Sequence, residues 1–92
     1  MTAVTVTKQS VGRYMVEITG DREATTHRVE VPEGLAEQLG GSGTSEERLV
    51  EESFRYLLEH EPNTSILRTF SIERIGDYFP GWGAEIARRL GA

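Results

Sequence analysis

Tyr14-Met15-Val16-Glu17-Ile18-Thr19 alternates apolar and polar side chains, with Tyr14, Val16 and Ile18 on one face and Glu17 and Thr19, after Arg13, on the other. A period of two residues is the mark of a half-buried strand, because successive side chains of an extended chain point to opposite sides. Working backward, Val4-Thr5-Val6-Thr7 repeats the pattern in residues that favour a pleated surface, and Gln9, Ser10 and Gly12 supply a turn between the two. Working forward, Gly20-Asp21 opens a second turn. A third strand over residues 25–31 then places His27, Val29 and Val31 inward. Pro32 has no amide to give a ladder and ends it.

Three strands with one polar face need a cover on the other, and the remainder of the chain reads as helices. Residues 33–39 predict a short helix with Leu35 and Leu39 four apart, stopped at Gly40. Gly40-Gly41-Ser42-Gly43 follows as a flexible joint. Thr44-Ser45-Glu46-Glu47 fits a capping box, so a long helix is expected over residues 45–60, with Leu49, Val50, Phe54, Leu57 and Leu58 as its apolar stripe. Glu51 and Arg55 lie four apart on its polar side.

Pro62-Asn63 breaks this helix, and residues 64–68 predict a turn that plugs Ile66 and Leu67 into the core. Ser71 is a candidate cap for a short helix holding Ile72, Ile75 and Phe79. Pro80 suits the first turn of a last helix in which Trp82, Ile86 and Leu90 recur every four residues. Six of the seven aromatic residues follow residue 50, so the bulk of the core is expected at the C-terminal end. The expected architecture is α+β in two layers: a three-stranded antiparallel meander, then one long helix and short C-terminal helices. A single domain spans 1–92, divided into the meander (1–32), the short helix and joint (33–43) and the helical part (44–92).

Composition narrows the function classes. Both halves of the chain are acidic and the net charge is −5, which disfavours nucleic-acid binding and suits a basic protein partner. No cysteine is present, so disulfides, thiolate metal sites and a cysteine nucleophile are ruled out, consistent with the cytoplasm. The first eight residues lack the basic and apolar pattern of a signal peptide, and no apolar run reaches membrane-spanning length.

The chemistry-bearing residues are few. His27 is the one ionisable side chain on an inward strand face, and the simplest reading makes it a hydrogen-bonded core residue. His60 near a helix end complements the dipole there. The two are too few and too separated to imply a metal, and no cofactor motif occurs. Glu59, Glu61, Glu73 and Asp77 read as solvated acids, while Ser45, Ser65 and Ser71 sit where caps are expected. No catalytic residue is assigned. Tyr78-Phe79-Pro80-Gly81-Trp82 crowds three large aromatics into five residues, close to Arg74, Arg88 and Arg89. Aromatics and arginine together are typical of binding hot spots, which makes these six residues the candidate interaction surface.

Glu52-Ser53-Phe54-Arg55-Tyr56-Leu57-Leu58-Glu59-His60-Glu61-Pro62-Asn63-Thr64-Ser65-Ile66-Leu67, followed by Phe70, Ile75 and Tyr78-Phe79-Pro80, resembles a group of small uncharacterised bacterial proteins. That likeness implies a shared fold and supplies no functional residue. The order of meander then helix is also similar, at the level of fold, to HicB-type antitoxins. The chain departs from them in lacking an evident fourth strand after the helix and a DNA-binding tail.

The leading expectation is a non-enzymatic interaction module that self-associates, as a homodimer, through a sheet edge or the aromatic C-terminal surface. A second is an antitoxin-like regulator that binds a basic protein. A third is a small enzyme that uses His27 with a carboxylate.

Overall fold

The alternation of valine with threonine and of apolar with charged residues forms three antiparallel strands in the computed structural model, which describes residues 2–20 and 23–91. They are β1 (Ala3–Ser10), β2 (Arg13–Thr19) and β3 (Thr25–Glu30). Val4 lies opposite Ile18, Val6 opposite Val16, and Val16 opposite His27, so the inward residues stack across the sheet. Gly12 takes φ 71° in the first turn and its carbonyl accepts from the Val31 amide, tying the hairpin tip to the end of β3. Gly20 lies in a bend, whereas Asp21 and Arg22 of the expected second turn lie outside the described residues.

Four α-helices follow among the described residues: α1 (Leu35–Gly40), α2 (Glu46–His60), α3 (Ile75–Tyr78) and α4 (Trp82–Arg89). The Ser45 hydroxyl caps α2 by accepting from the Arg48 amide at 3.0 Å. The expected capping box is not formed, because Arg48 occupies the position that would return the bond. The Thr44 hydroxyl instead donates to the Gly41 carbonyl at 2.8 Å. α1 runs one residue further than expected, through Gly40, and is stopped by Gly41 at φ 90°, a left-handed conformation that favours glycine.

The principal correction is a fourth strand, β4 (Thr69–Ser71), which makes the sheet four-stranded and mixed in the order β1-β2-β3-β4. β4 runs parallel to β3, with Val29 beside Phe70, after the whole of α1 and α2 has crossed over. Three residues show no alternation to read, and their pairing partner lies about forty positions away in sequence. Ser71 consequently ends a strand instead of capping a helix with its hydroxyl.

The outward side of the sheet is polar, with Thr5, Glu17, Thr26 and Arg28 exposed, and the helices lie on the other side. Between the layers, Val16, Phe54, Leu49, Ile72 and Ile86 are completely buried. Burial of each such side chain contributes about 1.5–3 kcal/mol. Tyr14 sits at one margin, where its hydroxyl donates to Glu46 Oε1 at 2.9 Å. Burial, with help from that carboxylate, pushes the phenol up to about 12.

Candidate functional site

After α2, the chain turns sharply through Asn63–Ser65 and then enters β4. Ile66 plugs into the core as expected, but Leu67 remains 46% exposed, because β4 is locked in place from the neighbouring strand. The Arg28 amide donates to the Arg68 carbonyl at 2.7 Å, and His27 Nδ1 lies 2.7 Å from the Leu67 carbonyl. With both backbone and side chain of β3 holding residues 67–68, the Leu67 side chain is left facing away from the core.

That arrangement opens a cleft of about 400 Å³ between the C-terminal part of α2, residues 65–70 and α3. Leu57, Ile66, Phe70, Ile75 and Phe79 line it with apolar surface, and Leu67, Tyr78, Arg74, Glu61 and Ser65 complete its walls. The volume lies within the range of small-ligand and anchor-residue pockets, about 300–1,000 Å³. Only Val11, Leu67 and Tyr78 among the described residues are large hydrophobics left exposed, and two of these three stand at this cleft. An exposed apolar pair beside an apolar hollow is the chemistry of an interaction surface.

The six residues proposed from sequence divide into two groups. Arg74, Tyr78 and Phe79 meet at the cleft. Tyr78 is 59% exposed, and the Arg74 guanidinium stands 3.8 Å from Asp77 in an ion pair on open surface. Tyr78, and to a smaller extent Asp77, raises the proton affinity of Arg74 above its ordinary value. Phe79 is half-buried, stacked on His60 at 5.0 Å and edge-on to Tyr56 at 6.0 Å.

Trp82, Arg88 and Arg89 are placed elsewhere. Trp82 is buried, and its indole N–H donates to the Ser53 hydroxyl at 3.0 Å inside the core. Arg89 bridges α4 to α2 by donating to Glu59 at 2.8 Å and to Glu85 at 2.8 Å, with its guanidinium 5.6 Å from the centre of the Tyr56 ring. Arg88 is exposed and shares Glu85. Arg88 and Arg89 together hold the Glu85 carboxyl down to about 2. Trp82 and Arg89 join α4 to α2, Arg88 pairs only within α4, and the cleft is built without all three.

Sequence reasoning missed Leu57, Ile66, Leu67 and Phe70 as parts of the site. The available signal was the apolar pair Ile66-Leu67 just after the helix break at Pro62-Asn63, of which the fold buries Ile66 and leaves Leu67 exposed.

His27 is fully buried. A carbonyl only accepts, so Nδ1 carries the proton and donates to Leu67, which leaves Nε2 to accept from the Thr25 hydroxyl at 2.8 Å. Asn63 Nδ2 in turn donates to Thr25 Oγ1 at 2.9 Å and to the Glu23 carbonyl at 2.8 Å. Burial lowers the imidazole below its ordinary value, opposed by the Leu67 carbonyl and aided by Arg68. Both ring nitrogens are engaged in the core and no carboxylate bonds to them, so the geometry offers no acid–base pair at this residue. Glu73 and Asp77 are exposed.

Among the described residues no three histidine, aspartate or glutamate side chains gather as a metal site, and no helix is long and apolar enough to cross a membrane. Comparison with protein-family models, with curated proteins and with solved structures gives no match to this chain.

Proposed function

We propose that this chain is a non-enzymatic protein-interaction module that self-associates as a homodimer and takes an apolar anchor side chain of a partner protein into the cleft beside β4. The observation that carries this reading is the coincidence of the 400 Å³ apolar cleft with exposed Leu67 and Tyr78. Anchor residues seated in such hollows dominate the binding energy of many interfaces. The cysteine-free composition supports a place in the cytoplasm.

A direct test uses anilinonaphthalene sulfonate, whose fused rings suit the apolar walls and whose sulfonate suits Arg74. The folded protein should bind the dye in a saturable way at one site. Leu67→Asp should abolish that binding and Arg74→Ala should weaken it, with helical circular dichroism unchanged. Dye binding that both variants leave intact contradicts the proposed cleft.

A second reading, the antitoxin-like regulator, gains support from β4, which follows the long helix where the likeness to HicB-type antitoxins requires a strand. Its partner would be a basic protein drawn to the glutamates of α2, Glu46, Glu47, Glu51 and Glu52. Charge reversal at Glu47 and Glu51 would then weaken capture at low salt, whereas Leu67→Asp would not.

A further inference from the structure

The core is sealed under β2 and β3 but open under β1. On the same inward face, Val16, Ile18 and Val29 are at most 1% exposed, whereas Val4 and Val6 are only half-buried. Beside them lies an open groove of about 300 Å³, lined by Thr2, Val4, Arg55, Leu58, Glu59 and Arg89. β1 is also the end strand, and no strand among the described residues pairs with its outer side.

Natural edge strands are usually guarded by shortness, proline, bulges or charge. β4 is guarded by its three-residue length. β1 runs for eight residues without proline, and its guards, Lys8 and the register shift between Lys8 and Ser10, all lie at one end. Residues 3–7, Ala-Val-Thr-Val-Thr, therefore form a regular, uncharged, unpaired edge.

We infer that this edge is the seat of a second copy of the chain, with two β1 strands pairing antiparallel about a two-fold axis at Thr5. The register follows from the pleat, because residues opposite each other in an antiparallel pair must share a face. Axes between residues are excluded by that condition. An axis at Thr5 sets Val4 against Val6 on the inner face, and Thr5 against Thr5 and Ala3 against Thr7 on the outer face. An axis one residue later would set Val4 against Lys8. The charges at the groove rim are paired within each copy, Arg89 with Glu59 and Arg55 with Glu51, so two such rims meet without an unpaired charge between them.

The result is a continuous eight-stranded sheet in which each copy covers the half-open core of the other. β1 and β4 are opposite ends of the strand order, so both clefts stay open at the far ends and the dimer presents two anchor sites. This inference rests on the self-association proposed above and names its interface.

Single cysteines test it cleanly, because the chain has none and any disulfide must join two copies. Thr5 is exposed on the outer face, and Val11 at the hairpin tip, 92% exposed, serves as the collision control. Wild type should have twice the 10.3 kDa chain mass by light scattering. Thr5→Cys should cross-link under mild oxidation at least ~10-fold faster than Val11→Cys, reflecting enforced proximity. Val4→Lys should be a folded monomer. A wild-type monomer at tens of micromolar overturns self-association and the interface together. A wild-type dimer in which Thr5→Cys cross-links no faster than Val11→Cys overturns the β1 interface alone, and this comparison holds even where Val4→Lys fails to fold.

Discussion

His27 Nδ1 lies 2.7 Å from the Leu67 carbonyl, a bond between β3 and the segment entering β4 that spans forty positions in sequence. It fixes the backbone of Leu67 while the side chain faces the cleft, so the buried histidine positions the candidate interaction surface. The neutral imidazole is the form that both hydrogen bonds need. Unfolding returns His27 to its ordinary value near 6.5, so the unfolded chain binds the extra proton. Stability from this group is therefore fully present above about pH 6.5 and is lost as pH falls below it towards the lowered folded value. His27→Gln should cost about 1–3 kcal/mol at pH 7.5 and flatten the decline between pH 7 and 5, as measured by urea unfolding.

Trp82 and Ser53 form a buried polar pair apart from the His27 network, and no buried side-chain nitrogen or oxygen among the described residues lacks a partner. Ser53→Ala leaves the indole N–H unsatisfied and should destabilise the fold by about 1–3 kcal/mol. Adding Trp82→Phe should then cost less than it does in wild type. A double-mutant cycle by chemical denaturation reads this coupling, and additivity would show that the bond contributes nothing.

Gly40 closes α1 against the last helix. A Cβ there would stand 2.6 Å from Thr44 Oγ1 and 2.9 Å from Leu90 Cβ. Alanine in a helix ordinarily gains up to about 1 kcal/mol over glycine, but overpacking typically costs about 1–3 kcal/mol. The clash should win, because Thr44 is held by its bond to Gly41. Gly40→Ala should lower the thermal midpoint; a rise would mean that the helical gain prevails.

The Glu85 carboxyl, held to about 2 chiefly by Arg88 and then Arg89, adds an acid-side dependence. A depressed carboxyl stabilises the fold above its unfolded value, near 4.5, and that contribution is lost as pH falls through 2. Glu85→Gln should flatten the fall in thermal midpoint between pH 4.5 and 2. The pairs are on the surface, so 1 M salt should shrink the difference between variant and wild type.

The local rules carried much of this fold. Alternation at Tyr14, Val16 and Ile18 placed β2, Ser45 marked the start of α2, and Trp82, Ile86 and Leu90 outlined α4. β4 was illegible because its three residues have no period and its partner strand is remote. The aromatic segment was half legible for a similar reason. Tyr78, Phe79 and Arg74 reach the cleft, but Trp82 turns inward because Ser53, a small polar residue within an apolar stripe of α2, accepts its N–H from 29 positions away. Tyr56, outside the stripe read from sequence, is buried beneath Arg89 and Phe79. Such pairings depend on how helices cross, which no window of sequence contains.

The interaction module is tested most directly by recovering the tagged chain from its own cells in low and high salt and weighing the complex by light scattering. The account predicts a dimer carrying a stoichiometric partner that resists high salt and is lost from Leu67→Asp and Tyr78→Ser while the dimer persists. Recovery of the same partner by both variants, or of a bare monomer from wild type, would contradict it.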